Sequence, residues 1–267
     1  MYQLGFIGAG NMASAILGGV LRSGFLAPQQ MCAFDVSPER RALFAGKGLA
    51  ALSSSAQVTA ESRFILLAVK PQNIEAVLTE AAPAFTPDKT IISIAAGISA
   101  ACIRRLLGYK GAKIILVMPN TPLLIGEGAV AMSRGEGVED EEFSFAKNLF
   151  SAAGRVEEIP PSLMNEIIPV NGSSPALIYL LAKTVSEYAE KKAIPYETAN
   201  RLFCQTLIGS ARMMLQSGKS HQELIDMVTS PGGTTYKMLD GLKEGGFPQA
   251  VEDSFDRCIQ RAYELGK

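Results

Sequence analysis

One stretch constrains this chain more than any other: Gly5-Phe6-Ile7-Gly8-Ala9-Gly10-Asn11-Met12-Ala13. Ahead of it, Tyr2, Leu4 and Phe6 alternate with Gln3 and Gly5, and Ile7 closes a short apolar run, the pattern of a buried strand. Behind it, Met12, Ala13, Ile16, Leu17, Val20 and Leu21 recur at helical spacing. Between strand and helix sits Gly8-x-Gly10-x-x-Ala13. Gly8 permits a tight turn, Gly10 lets backbone approach a pyrophosphate without a Cβ in the way, and Ala13 lets the helix lie close on the strand. The free N–H groups of the helix then face the phosphates. In this strand–turn–helix setting the pattern points to a dinucleotide site. A tight turn in an α/β domain that binds nothing is the alternative.

The rest of the chain must be compatible with that turn. Its 267 residues suffice for one large domain or two ordinary ones, and 48% are apolar, enough for a substantial core. A net charge of −1 gives no steering toward nucleic acid or an anionic membrane. Cys32, Cys102, Cys204 and Cys258 lie far apart with no C-x-x-C pair, and no secretory signal precedes the first strand. They are expected to be buried, reduced thiols of a cytoplasmic protein. No run reaches the ~18 apolar residues of a membrane span. The single histidine, His221, sits in a polar, loop-like setting, so a histidine base or a histidine metal site is not expected, and no metal is.

After the first helix, Met31 to Phe34 reads as a second strand, ending at Asp35. An acid there receives the adenosine ribose 2′-OH and favours NAD, whereas a nearby Arg favours NADP. Arg40 and Arg41 follow at once, so both options stay open, as does a third in which Asp35 only caps the turn into Ser37-Pro38. Residues 38 to 47 and 73 to 82 read as helices, with Ser53 to Ser55 as a loop. Strands at Phe64–Val69, Thr90–Ile94 and Ile114–Met118 end in Lys70-Pro71-Gln72, Ala95-Ala96-Gly97 and Pro119-Asn120-Thr121-Pro122. In an open, mostly parallel sheet those C-terminal ends form the ligand crevice. Ala129 to Met132 reads as an edge strand, 139 to 151 as a helix and Arg155 to Ile159 as the last strand. The expected first domain is α/β and covers residues 1–158.

Pro160-Pro161 marks the change to an all-helical domain, 159–267, with helical periodicity over 163–170, 175–192, 196–216, 220–228 and 247–265. The pair 175–216 is rich in Ala, Leu, Ile and Met, more apolar surface than five helices can cover, which points to packing against a second copy, with a buried helix within one subunit as the alternative. One loop stands out: Val228-Thr229-Ser230-Pro231-Gly232-Gly233-Thr234-Thr235 before a helix. Consecutive glycine N–H groups and two hydroxyls at a helix start make a nest of carboxylate size, although Thr is also an ordinary N-cap.

Together, Gly5 to Ala13, Ala68-Val69-Lys70-Pro71-Gln72, Ser93-Ile94-Ala95-Ala96-Gly97-Ile98, Met118-Pro119-Asn120-Thr121-Pro122 and Val228 to Thr235 resemble the pyrroline-5-carboxylate reductases over nearly the whole length. The resemblance implies a Rossmann domain that binds NADPH, with NADH as the second option, followed by an all-α dimerisation domain. It implies hydride transfer to 1-pyrroline-5-carboxylate, giving L-proline, at the dimer interface. It assigns the cofactor to Gly8, Ala9, Gly10, Asn11, Met12, Ser55, Val69, Lys70, Pro71, Ala95, Ala96 and Gly97, to which the strand-end reading adds Asp35. It assigns the substrate carboxylate to Gly233, Thr234 and Thr235, adds Ser173, and puts the Thr235 hydroxyl near the ring nitrogen as the catalytic group. Dimers of this family often assemble into rings.

The chain departs from the family at Ser174 (a Gly there), Leu177 (an aromatic), Met238 (a small residue), and Met227 and Pro161 (polar residues). Asp35 stands where a Ser or Thr is frequent. Two other readings follow. One is a paralogous imine or hydroxyacid reductase with a changed substrate; a hydroxyacid dehydrogenase would use Lys183 as its base. The other is a non-catalytic, nucleotide-binding dimeric regulator.

Overall fold

The computed structural model describes residues 1–266. By compactness the chain divides into a first unit, Met1–Pro175 with the C-terminal segment from Arg257, and a second, Ala176–Asp256.

The first unit is built on one eight-stranded sheet: β1 (Tyr2–Ile7), β2 (Met31–Phe34), β3 (Ala50–Ala51), β4 (Ser62–Leu67), β5 (Thr90–Ser93), β6 (Lys113–Met118), β7 (Gly128–Arg134) and β8 (Gly154–Glu158). The spatial order is β3-β2-β1-β4-β5-β6-β7-β8, parallel except for the antiparallel β6–β7 pair. Both faces are covered, so the strands read as apolar runs rather than alternating ones. Leu4, Phe6, Phe64, Leu66, Ile92, Ile115 and Val117 point to one face. There they meet Ala13, Ile16, Leu17 and Val20 of α1 (Asn11–Ser23), and Phe143, Ala146, Leu149 and Phe150 of α6 (Asp140–Ser151). Ile7, Ile65, Leu67, Ile91 and Ile114 point to the other. They meet Val58 of α3 (Ser55–Glu61), Ile74 and Leu78 of α4 (Ile74–Ala81), and Ile103 and Leu107 of α5 (Ala100–Leu107). Each such side chain contributes about 1.5–3 kcal/mol by burial. α2 (Pro38–Ala45) follows β2, its first turn capped by Ser37 Oγ.

α6 carries one buried charge. Glu142 accepts from Lys113 Nζ at 2.8 Å and from Thr90 Oγ1 at 3.0 Å. Burial, the largest influence, pushes its carboxyl up, but the bonds from Lys113, the Glu139 N–H and Thr90 together outweigh it and hold the group below the usual range.

The second unit is all helix: α7 (Ser174–Glu190) from Ala176 onward, α8 (Tyr196–Gln216), α9 (His221–Met227), α10 (Thr234–Glu244) and the first half of α11 (Phe247–Leu265). Ser220 and Glu223 cap α9 reciprocally. No helix among the described residues is long and apolar enough to cross a membrane.

Several expectations are corrected. Ser53 to Ser55 is not all loop: Ser54 Oγ accepts from Gln57 N–H, and Ser55 opens α3. β7 is interior, because β8 pairs outside it. Residues 163–170 form no regular α-helix. Pro169 has no N–H to donate, and the segment closes instead with a wide bond from Ser173 N–H to the Ile168 carbonyl. The thiols are not uniformly buried, since Cys204 is exposed and Cys102 and Cys258 are half-buried. His221 is exposed but opens a helix rather than lying in a loop.

Candidate functional site

The strand order reverses direction at β1, between β2 and β4, and in such sheets ligands bind beyond the C-terminal strand ends at that point. A cavity of about 980 Å³ lies there within the first unit, at the upper end of small-molecule sites. Its wall begins with the glycine turn. Gly8 has φ +97°, and a Cβ on it would sit 2.6 Å from the Ala68 carbonyl oxygen, so only glycine fits between β1 and the β4 loop. Gly10 is the N-cap of α1 and no described side chain caps that helix. The first-turn N–H groups at Asn11 and Met12 are therefore free at the cavity, which both residues line.

Asp35, also in the lining, is held rigidly. Its Oδ2 accepts from Ala9 N–H at 2.7 Å and its Oδ1 from Ser37 N–H at 2.9 Å. The capping option and the ligand option are thus compatible: one carboxylate ties the glycine turn to the β2 turn and still faces the cavity. The two arginines differ. Arg41 lies over the Phe34 ring and donates to the Asp35 and Val36 carbonyls at 2.6 and 3.3 Å, outside the lining. Arg40 lines the cavity, its Nη1 3.0 Å from where a Gly10 Cβ would be.

From the next strands, Ala68, Val69 and Lys70 after β4, Ile94 and Ala96 after β5, and Met118 and Pro119 at the end of β6 continue the wall. Ile168, Gly172 and Ser173 close the far end, where the Ser173 hydroxyl lies 3.5 Å from Cys258 Sγ. Behind that end, Met118, Ile168 and Ala262 of α11 form a small apolar cluster. Gly97, φ +78°, packs so closely on α11 that a Cβ would sit 2.5 Å from the Ala262 carbonyl oxygen. Tyr263 donates to Glu166, and that bond is the main cause holding its hydroxyl pKa above the usual value.

Of the expected cofactor residues, Gly8, Gly10, Asn11, Met12, Asp35, Val69, Lys70 and Ala96 line the cavity. Ala9, Pro71, Ala95 and Gly97 stand behind it, in the turns that shape the wall. Ser55 is wholly buried and its hydroxyl donates to Glu80, so it acts through Glu80, which does line the cavity. Sequence reasoning missed Val36, Asn73, Ala76, Val77 and Glu80. Val36 carries no signal in the sequence: it is an ordinary apolar residue that the fold leaves 84% exposed at the cavity.

Gly233, Thr234 and Thr235 lie in the second unit. Gly232 has φ +71°, Gly233 is the N-cap of α10, and no described side chain caps that helix. Thr235 is half-buried and Thr234 exposed. The N–H groups of Thr234 and Thr235 are therefore available to an anion, whereas the Gly233 N–H, expected to join them, already donates to the Ser230 carbonyl at 2.9 Å.

Comparison with known proteins gives a consistent picture. Residues 161–265 match the family model for pyrroline-5-carboxylate reductase dimerisation, and residues 3–97 that for NADP oxidoreductase, coenzyme F420-dependent. The chain is 35% identical to a pyrroline-5-carboxylate reductase of Methanosarcina acetivorans, over 99% of this chain and 98% of that one. It is 36% identical to that of Pisum sativum, over 99% and 96%. Among solved structures, the Plasmodium falciparum pyrroline carboxylate reductase with NADP bound superposes with a TM-score of 0.91 at 27% identity, over 100% of this chain and 98% of that one.

Proposed function

The chain belongs to the pyrroline-5-carboxylate reductase family, and we propose that it works as such an enzyme, reducing 1-pyrroline-5-carboxylate to L-proline with NAD(P)H. The observation that carries this reading is full-length likeness to relatives of that name, combined with a cavity that joins the glycine turn to Ser173. The first unit fits a dinucleotide, because Gly8 and Gly10 leave room for backbone to approach phosphates and α1 begins uncapped. The bound nicotinamide supplies the hydride.

The chain's own residues bind and orient. The first-turn N–H groups of α1, with Arg40 over Gly10, hold the pyrophosphate, Asp35 the adenosine end, and Val69, Lys70 and the loop Ala95 to Gly97 the rest. Thr234 and Thr235 hold the substrate carboxylate through N–H groups on the turn that Gly233 shapes, with Ser173 as a further polar contact. Thr235 presents its hydroxyl at the ring nitrogen, a modest contribution for so weak an acid, well below the ~10²–10⁴-fold of a full general acid. Positioning carries most of the rate.

The chain forms a homodimer through residues 159–267, and residues 1–158 make the nucleotide half. A higher assembly of dimers and a cytoplasmic location complete the reading. Ser174, Leu177, Met227 and Met238 are where a changed substrate would show. The test is steady-state oxidation of NADH and NADPH with 1-pyrroline-5-carboxylate. The expected kcat/KM is above the ~10⁴ M⁻¹s⁻¹ floor of ordinary enzymes with at least one cofactor. Tight nucleotide binding without turnover would point instead to a changed substrate or to the regulator.

A further inference from the structure

We propose that Asp35 makes this chain an NADH enzyme, one that discriminates against the 2′-phosphate of NADPH. The inference rests on the dinucleotide reading of the cavity and deepens it. The sequence leaves the question open, because Asp35 argues for one cofactor and the arginine pair for the other. The geometry separates them.

Asp35 cannot turn aside. A surface carboxylate facing an arriving phosphate would rotate into solvent. Here Oδ1 is held by Ser37 N–H at 2.9 Å and Oδ2 by Ala9 N–H at 2.7 Å, and the residue lines the cavity. Each carboxylate oxygen keeps a lone pair, so the group can still accept from a ribose hydroxyl. A 2′-phosphate adds about −1.5 to −2 charge and has little or no hydrogen to donate, so the pinned carboxylate repels it. The opposing cation is weaker than the sequence suggests. Arg41 is committed to the Asp35 and Val36 carbonyls and lies against Phe34, outside the lining. That leaves Arg40, and its guanidinium reaches back over Gly10, on the turn where the pyrophosphate belongs. The surface meeting the adenosine end therefore suits a diol better than a phosphate.

The test is a calorimetric titration of the full-length protein with NAD⁺ and, separately, with NADP⁺, repeated with 5′-AMP and 2′,5′-ADP, which differ in the 2′-phosphate. NAD⁺ and 5′-AMP are expected to bind at least about ten-fold more tightly than their phosphorylated partners, the scale of one like-charge contact near a protein surface. D35N keeps one acceptor oxygen and so keeps part of the brace. It should shrink the ratio about ten-fold, and D35S should do the same or more. R41A should leave the ratio within about two-fold, since that side chain faces the β2 turn. Equal or tighter binding of NADP⁺ by the parent protein would overturn the inference and leave the cavity reading standing. So would an unchanged ratio in both folded Asp35 variants. Binding of neither nucleotide would overturn both.

Discussion

The two units bury their apolar residues very differently. In the first, β1, β4, β5 and β6 are sealed on both faces, and Phe6, Phe64, Leu66 and Leu67 have almost no accessible surface. In the second, the only buried residues are Ala199 and Ser186, while Leu180 is 62%, Leu202 65% and Leu215 73% exposed. A sheet covered by its own crossover helices satisfies itself. The long helices α7 and α8 do not, and exposed apolar surface on this scale marks an interaction face. Residues 161–265 match the pyrroline-5-carboxylate reductase dimerisation family model, which supports a homodimer, and a second copy is the cover proposed for this face. The first unit is therefore stabilised within one chain, the second by association.

The sharpest way to break this contrast is to charge the second unit's open face. The double variant L180E/L202E is expected to sediment as a monomer at micromolar concentration and to lose turnover. An unpaired charge forced into an interface costs several kcal/mol. Normal dimers would mean that these residues face water in the assembly. In the first unit, F6A should cost about 3–5 kcal/mol in denaturant unfolding, as a large core truncation does. Its loss should be independent of protein concentration as long as the dimer persists.

A smaller effect is expected at Glu142. E142Q removes the nearer charge partner of Lys113 and leaves it Glu139 at 3.8 Å, and because Lys113 is partly exposed the loss should be about 1–3 kcal/mol. The sign of the pH dependence follows from the lowered carboxyl. Its stabilisation is present above the ordinary value of 4.5 and fades as pH falls below it. Acid unfolding curves of parent and E142Q should therefore converge at low pH, and parallel curves would refute the ion pair. The smallest effect is chemical. Burial, its dominant cause, pushes the Cys32 thiol to about 11. Alkylation at pH 8 followed by mass spectrometry should leave Cys32 unmodified until the protein is unfolded.

The same contrast explains what could be read from the chain. The sheet was legible because buried parallel strands are continuous apolar runs that stop at a polar or Pro-bearing loop, as Phe64 to Val69 stops at Lys70-Pro71. The glycine turn was legible because steric demand at Gly8 and Gly10 leaves a residue-level signature. α3 and α5 have no counterpart in the sequence reading: α3 buries one apolar residue, Val58, and α5, although amphipathic through Ile103 and Leu107, is only eight residues long. Ser54 and Ser55 are ambiguous for a chemical reason: the hydroxyl that suits a loop also caps a helix. Within the candidate site, the strand-end loops were visible. The division of labour between Arg40 and Arg41 was not, because adjacent residues of one type differ only in where the backbone aims them. Val36, Ala76 and Val77 were likewise hidden, being ordinary apolar residues distinguished only by facing the cavity.

The central claim is that the first unit holds the nucleotide while Gly233 to Thr235 of the second serve the imine. The most direct measurement is T235A, comparing turnover of 1-pyrroline-5-carboxylate with nucleotide affinity in the same preparation. The account predicts kcat reduced about ten-fold, with the dissociation constant for the nucleotide unchanged within about two-fold. Full turnover in T235A, or equal losses in turnover and nucleotide affinity, would contradict it.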